Sequence, residues 1–519
     1  METWFIILIS LCITTLLAYL LNPSKTSTKR SLPPGPPSYP LVGNLLWLRR
    51  SFFDLEPTLR SLHALHGPLI TLRIGPKTLI FISSRAVAYQ ALVEASAVFA
   101  GRPAGLPTAR VMNNNPQNIS SSTYGPNWRL LRRNLTAGIL HQSRSKSYSA
   151  ARERVVRLLI RRLSSAAAEG GAVPVADHFP YAMFYLLSLM CFGGDELEER
   201  RIREIEDVQR RMLSSINRFN ILNLWPKFGK ILFRSRWKEL LDLCENQKEV
   251  LLPLIRARIR AKQEMQGNED MLTYVDTLKD LELPVEMRKL DEGEMVSLCS
   301  EFLTAGVDTT TAVLQWIMAN LVKYPHIQNK VFAEINGVFE NGERDWVREE
   351  DLQKMPYLKA VVLEGLRRHP PGHLLVPHSV TKDVELGGYF LPKDTTVNFM
   401  VADMGWDPEV WDDPMAFKPE RFLSDGGDGG GDGGGGELFD VTGSRGIKMM
   451  PFGAGRRICP GYGLAMLHLE YIVGNLVWAF EWEEVEGAEV DLSEKQEFAI
   501  VMKNALTVHL SPRSKMHHN

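Results

Sequence analysis

A predominantly α-helical fold with small β-sheets, set behind an N-terminal transmembrane anchor, is what this sequence of 519 residues predicts. Three observations carry the prediction. From Pro126 to about residue 377 the pattern is dominated by helix-like segments. Strand-like runs rich in β-branched residues are short and confined to the flanks, at Leu69–Ile74 and Thr78–Ile82 and again beyond residue 377. Thr3 to Leu21 carries no charge and is rich in Ile and Leu, long enough for a bilayer that takes roughly 20 helical residues.

The elements follow in order. Lys25, Lys29 and Arg30 come just after the apolar stretch, so that side faces the cytosol and residues 1–22 form the anchor. The rival is a cleaved signal peptide, which carries positive charge before its apolar run and small residues at its end; here Glu2 precedes and Tyr19-Leu20-Leu21 ends it. Residues 23–44, basic and then proline-rich (Leu32 to Pro40), read as a semi-rigid hinge or a disordered linker. The body, 45–519, starts with a helix at Leu55–Leu65 and a hairpin turning at Gly75-Pro76, then a helix over 86–97. Gly101 to Pro126 is too long for a plain connector and reads as a functional loop. Glu294 to Tyr324 is a long helix, Val384–Leu391 and Thr395–Met400 are strands, and Gly463–Phe480 is a helix apolar along one face. Residues 425–437 are a Gly/Asp-rich flexible loop, and strands return at Phe498–Met502 and Leu506–Leu510.

Composition excludes some functions. Lys plus Arg number 60 and Asp plus Glu 61, a net charge of −1, which argues against nucleic acid as a partner. The cysteines at 12, 191, 244, 299 and 459 form no CxxC pair, so neither a zinc site nor a disulfide framework is indicated. Four read as small buried hydrophobes. Cys459 differs. It ends Pro451-Phe452-Gly453-Ala454-Gly455-Arg456-Arg457-Ile458-Cys459-Pro460-Gly461, a tight glycine-bearing loop before a helix. Free amides and a helix start favour a thiolate, so the loop reads as the cradle of a stable anionic ligand.

The pattern FxxGxRxCxG resembles that of cytochromes P-450, the haem-thiolate monooxygenases, with Phe452, Gly455, Arg457, Cys459 and Gly461 at its fixed positions. The resemblance implies the fold of that family: a helical body with haem b between a long central helix and the cysteine-loop helix. Cys459 is then the axial ligand to the haem iron, and thiolate ligation pushes electron density onto iron and favours O–O cleavage. Glu364-Gly365-Leu366-Arg367 matches ExxR and Pro419-Glu420-Arg421-Phe422 the PERF motif, which implies a structural charge network of Glu364, Arg367 and Arg421. Trp128 and Arg132 match WxxxR, implying propionate contacts, with Arg457 in the cysteine loop and His378 where the family often has arginine as further donors; Phe452 is implied as haem-binding.

Ala305-Gly306-Val307-Asp308-Thr309-Thr310 matches (A/G)GxDT(T/S). Gly306 is read as leaving room for O2, Thr309 as hydrogen-bonding bound dioxygen or a nearby water, and Asp308 as passing protons inward. Against that, Glu294, Glu301, Asp308 and Gln315 recur every seventh residue, and such a polar stripe is usually a solvated face. His373 reads as a loop histidine. Phe219 to Trp237 interleaves apolar and basic residues, as a bilayer-contacting segment or an ordinary packed helix–loop–helix would. Substrate-facing residues are implied at 101–125, before Gly306, at Leu374–Pro377 and at Ile500–Met502, all mostly apolar.

The Leu363–His373 and 443–461 stretches resemble plant A-type members, family 89 subfamily A. The implied activity is O2- and NADPH-dependent monooxygenation of a small hydrophobic plant metabolite at the endoplasmic reticulum membrane. Electrons would come from a separate NADPH-dependent flavoprotein reductase. A haem-thiolate isomerase or lyase, and a non-catalytic haem-binding membrane protein, are the competing readings.

Overall fold

The computed structural model describes residues 7–8, 10–15, 31–38, 44, 55–74, 77–112, 118–194, 197–223, 232–264, 271–339, 345–423 and 439–513. The described chain divides into a smaller unit, residues 1–103 with 374–400, and a larger one, residues 104–373 with 401–519. Most of the expected anchor lies outside the described residues. Those described there, 7–8 and 10–15, are helical, with Ile7, Leu8 and Leu11 exposed. The 425–437 loop also lies outside.

In the smaller unit, α1 (Leu55–His66) covers a four-stranded sheet of order β1–β2–β4–β3, made of Leu69–Ile74, Lys77–Ile82, Thr396–Phe399 and His378–Ser379. β1 and β2 pair antiparallel, β2 and β4 parallel. Leu59 and Leu62 of α1 pack on Ile70, Leu72, Phe81 and Met400. The helix expected over 86–97 is α-helical only at Arg85–Tyr89 and then widens into a π turn, Gln90–Glu94. Val384–Leu391 is a tight hairpin instead of one strand, because Gly387 and Gly388 both sit at positive φ, 57° and 81°.

The proline segment also departs from the spacer expected of it. Prolines lack an amide proton but still accept: Thr71 donates its N–H to the Pro34 carbonyl and its hydroxyl to that of Pro33, each at 2.7 Å. The strand comes so close that a Cβ on Gly35 would stand 2.0 Å from the Thr71 carbonyl oxygen. This part of the hinge is docked on β1.

The larger unit is helical. Its main helices are α2 (Pro126–Leu135), α3 (Ser149–Ala168), α4 (His178–Phe192), α5 (Glu199–Phe219), α6 (Arg234–Glu264), α7 (Glu292–Lys323), α8 (Pro356–Arg368) and α9 (Tyr462–Ala479). A short hairpin, β5 (Glu494–Gln496) and β6 (Ile500–Met502), follows. The stretch read as an uninterrupted loop at 101–126 contains a helix, Pro107–Met112. Among the described residues one stretch is long and apolar enough to cross a membrane, Val175–Phe192, and it is 83% buried inside the fold. It is a core helix.

α7 runs through this core, started by a capping box in which Asp291 and Glu294 each accept the other's backbone amide. Two glycines set its neighbours' distance. A Cβ on Gly306 would lie 2.5 Å from Leu187 of α4, and one on Gly365 of α8 would lie 2.5 Å from Ile317 of α7. The Cβ direction of Gly306 thus points at Leu187 of α4. Around Phe219 and Leu222, Phe233 and Trp237 pack on the body, as the helix–loop–helix reading requires; Trp225 and Phe228 lie outside the described residues.

α8 carries a fully buried ion pair. Arg367 Nε and Nη2 donate to Glu364 at 2.7 and 2.8 Å, and both side chains are wholly inaccessible to solvent. Arg367 also donates to the carbonyls of Gly405, Pro414 and Ala416. The Lys418 amide and Arg421 donate to Glu364 at 2.8 and 3.4 Å. Removing one buried partner strands the other's charge, so Arg367→Ala should lower unfolding stability by about 3–5 kcal/mol. Urea denaturation measures it, and a loss under about 1 kcal/mol would contradict the account.

Candidate haem site

The cysteine loop is shaped by two residues at positive φ, Gly453 (71°) and Gly455 (68°), conformations that a side chain would strain. The turn brings the Cys459 amide to the Phe452 carbonyl at 2.8 Å, and α9 starts three residues later. Gly461 donates its N–H to the Cys459 sulfur. Even so, burial pushes the Cys459 thiol above its ordinary pKa, and neither Gly461 nor the nearby Arg132 charge offsets it. The loop's own groups thus work against the cost of burying a thiolate without removing it. Desolvation outweighs one amide and one arginine.

A positive ion bound to the sulfur supplies what is missing. Among the described residues no group of three or more His, Cys, Asp or Glu side chains is placed to hold a metal ion. A single buried sulfur therefore fits an iron whose other ligands come mainly from a porphyrin.

Around the loop, Arg132 donates to the Ile458 carbonyl next to the cysteine. Arg457 donates to the carbonyls of Ile119 and Ser122 at 3.1 and 2.7 Å. Both guanidiniums lie over the Trp128 ring, Arg457 at 4.3 Å and Arg132 at 5.8 Å. Trp128's one donor, Nε1–H, goes to the Ile119 carbonyl at 3.0 Å. Its ring seats two arginines by contact. His378 belongs to the smaller unit, where its Nδ1 donates to the Phe99 carbonyl at 2.7 Å. Its Nε2 can donate as well only when the ring is protonated.

On α7 the polar stripe is not a solvated face. Glu294 is buried and paired with Arg288. Glu301 accepts the amides of Ile119 and Ser120 at 2.8 and 2.7 Å, pinning the segment that also receives Arg457 and Trp128. Asp308 Oδ2 is buried with no hydrogen-bond partner among the described residues. Burial pushes the Asp308 carboxyl up to about 6, against the pull of Arg210 and with added repulsion from Glu497 and Glu206. Thr309 donates its hydroxyl to the Ala305 carbonyl at 2.7 Å, so it turns lone pairs outward and must release that carbonyl before it can donate.

Sequence reasoning missed one group altogether. His373 does lie in a loop, the one that follows α8, but it is buried there and shares the Glu494 carboxylate with His369 and Arg368. The spacing of His369 and His373 was visible, but their partner lies more than a hundred residues away.

Residues 33–510 match the family model for Cytochrome P450. The chain is 51% identical to Cytochrome P450 89A9 of Arabidopsis thaliana over 93% of this chain and 94% of that protein. It is 30% identical to a flavonoid 3'-monooxygenase of the same plant (94% and 93% covered) and 31% to salviol synthase of Salvia pomifera (95% and 94%). A zebra fish cytochrome P450 solved with progesterone has the same fold, with a TM-score of 0.73 at 23% identity over 89% of this chain and all of that one. With the match running from the proline segment to the last strand, this chain belongs to the cytochrome P450 family and is a haem-binding monooxygenase.

Proposed function

We propose that the chain oxidises a small hydrophobic plant metabolite using O2 and NADPH, with electrons from a separate NADPH-dependent flavoprotein reductase. The observation that carries the reading is the Cys459 loop, with its desolvated sulfur, on one chain with a central helix bearing a proton-holding acid and a hydroxyl. Haem b held by Cys459 supplies the dioxygen chemistry when bound, the thiolate favouring O–O cleavage. Phe452 holds the Cys459 amide, and Arg132, Arg457 and His378 serve the propionates, with Trp128 seating the first two. Asp308, whose carboxyl is held at about 6, carries protons at Oδ2, and the Thr309 hydroxyl, once it releases the Ala305 carbonyl, hydrogen-bonds bound dioxygen or a nearby water.

The relatives named for flavonoid oxidation and salviol synthesis support a hydrophobic substrate of that general size. Residues 1–22 anchor the body to the cytosolic face of the endoplasmic reticulum. Exposed Arg129, Arg133 and Lys448 form a basic surface for the acidic face of a reductase.

Microsomes carrying the chain and a plant reductase should convert members of a hydrophobic metabolite panel in an NADPH-dependent way; no product and no NADPH consumption across the panel would reject the reading. Cys459→Ala should abolish the haem-thiolate absorption band of the reduced, carbon-monoxide-treated protein. Thr309→Ala should keep that band but lower product per NADPH by about tenfold or more, with peroxide rising in its place. Unchanged coupling would remove Thr309 from the proton path.

Asp308 gives a stability prediction with a definite sign. Its folded pKa is raised from 3.8 to about 6, so the folded protein binds the extra proton and is favoured below pH 3.8. That advantage is lost as pH rises through about 6, leaving a penalty of about 2–3 kcal/mol at neutrality. Asp308→Asn should therefore be more stable than the parent at pH 7.5 and lose the lead by about pH 4. Parallel denaturation curves at both pH values would contradict the burial of a charged Asp308.

A further inference from the structure

Three residue pairs join β5 to β6, from Glu494 opposite Met502 to Gln496 opposite Ile500. A two-stranded hairpin this short is marginal by itself, so other contacts must hold it. They come from two directions. On the α7 side, Trp316 Nε1 donates to the Ile500 carbonyl at 2.9 Å, and the Ile500 amide donates to Pro371 at 2.9 Å. At the other end, Glu494 meets His369 Nδ1 at 3.1 Å, His373 Nε2 at 3.4 Å and Arg368 Nη1 at 3.5 Å.

The two holds are joined. His369 lies flat on the Trp316 indole, ring centres 4.1 Å apart and planes 1° from parallel. Burial keeps His369 neutral, its pKa down at about 4, so at neutral pH its Nδ1–H donates to an ionised Glu494. His369, His373 and Arg368 hold Glu494 below the ordinary glutamate range despite its burial. The tip between the strands carries exposed Phe498 and Glu497, whose charge acts on Asp308. One end of the hairpin is thus fastened to the end of α8, and the other lies within electrostatic reach of the acid on α7.

We propose that Glu494 is a positioning residue: clamped by His369, His373 and Arg368, it fixes the β5–β6 tip against α7 and so sets how bulky a molecule reaches Asp308 and Thr309. The inference rests on the reading above that Ile500–Met502 face the substrate. A flexible tip would have to be ordered by each ligand, whereas a clamped one is a preformed wall.

The test uses the holoenzyme and two nitrogen ligands of haem iron, imidazole and the much larger clotrimazole, each titrated by the shift of the haem absorption. Glu494→Ala should weaken clotrimazole by about tenfold while imidazole changes by less than about twofold, because only the large ligand leans on the tip. General damage to the haem site would move both together, and that result overturns the proposal. Ile500→Ala separates the two layers of the argument. If it shifts clotrimazole and Glu494→Ala does not, the wall is real and the clamp is not. If neither variant shifts it, the substrate-side placement of the hairpin fails and takes the clamp with it. Should Glu494→Ala lose the carbon-monoxide band, Glu494→Gln decides in its place. It keeps one acceptor and removes the charge, so about a threefold selective loss is expected, and none at all overturns the proposal.

Discussion

The ion pair between Glu364 and Arg367 is the constraint from which the proximal scaffold is built. Two fully buried charges persist only where every donor and acceptor is satisfied. Here Glu364 takes Arg367, Arg421 and the Lys418 amide, while Arg367 takes three backbone carbonyls between residues 405 and 416. Irregular chain that could not order itself is thereby tied to one turn of α8. Trp411 and Met449 extend the hold apolarly, packing with Leu363 from the same helix.

Charge explains the loop as well. Burial raises the Cys459 thiol while the Gly461 amide and the Arg132 charge pull it down, and a cation on the sulfur would add to that pull. Iron binding at the sulfur would then be coupled to thiolate formation.

How much of this was legible in the sequence follows from how local each signal is. The cysteine loop, the ExxR pair and α7 are contiguous, and each was visible in a few adjacent residues. The stripe through Glu294, Glu301, Asp308 and Gln315 was visible too, but periodicity identifies a face without saying what covers it. The 118–122 backbone covers it at Glu301, and α5 brings Glu206 and Arg210 toward Asp308. At Gly306 the side chain that comes close, Leu187, likewise belongs to another helix. The proline segment was misread because its carbonyls, which do the bonding to Thr71, leave no trace in residue identity.

The errors share a direction. Each treated a polar or small residue as facing solvent, ligand or nothing, where the fold uses it against another part of the chain. Thr309 and Asp308 stand out against that background. Glu294 and Glu301 on the same helix are satisfied by partners the fold provides, yet Asp308 keeps a buried oxygen without one among the described residues, and Thr309 spends its proton on its own helix. An unsatisfied buried carboxylate is destabilising, and a fold that supplies partners to its other buried acids could have supplied one here. Selection for stability alone does not leave such a group in place, and the proton role proposed for Asp308 supplies a reason for it.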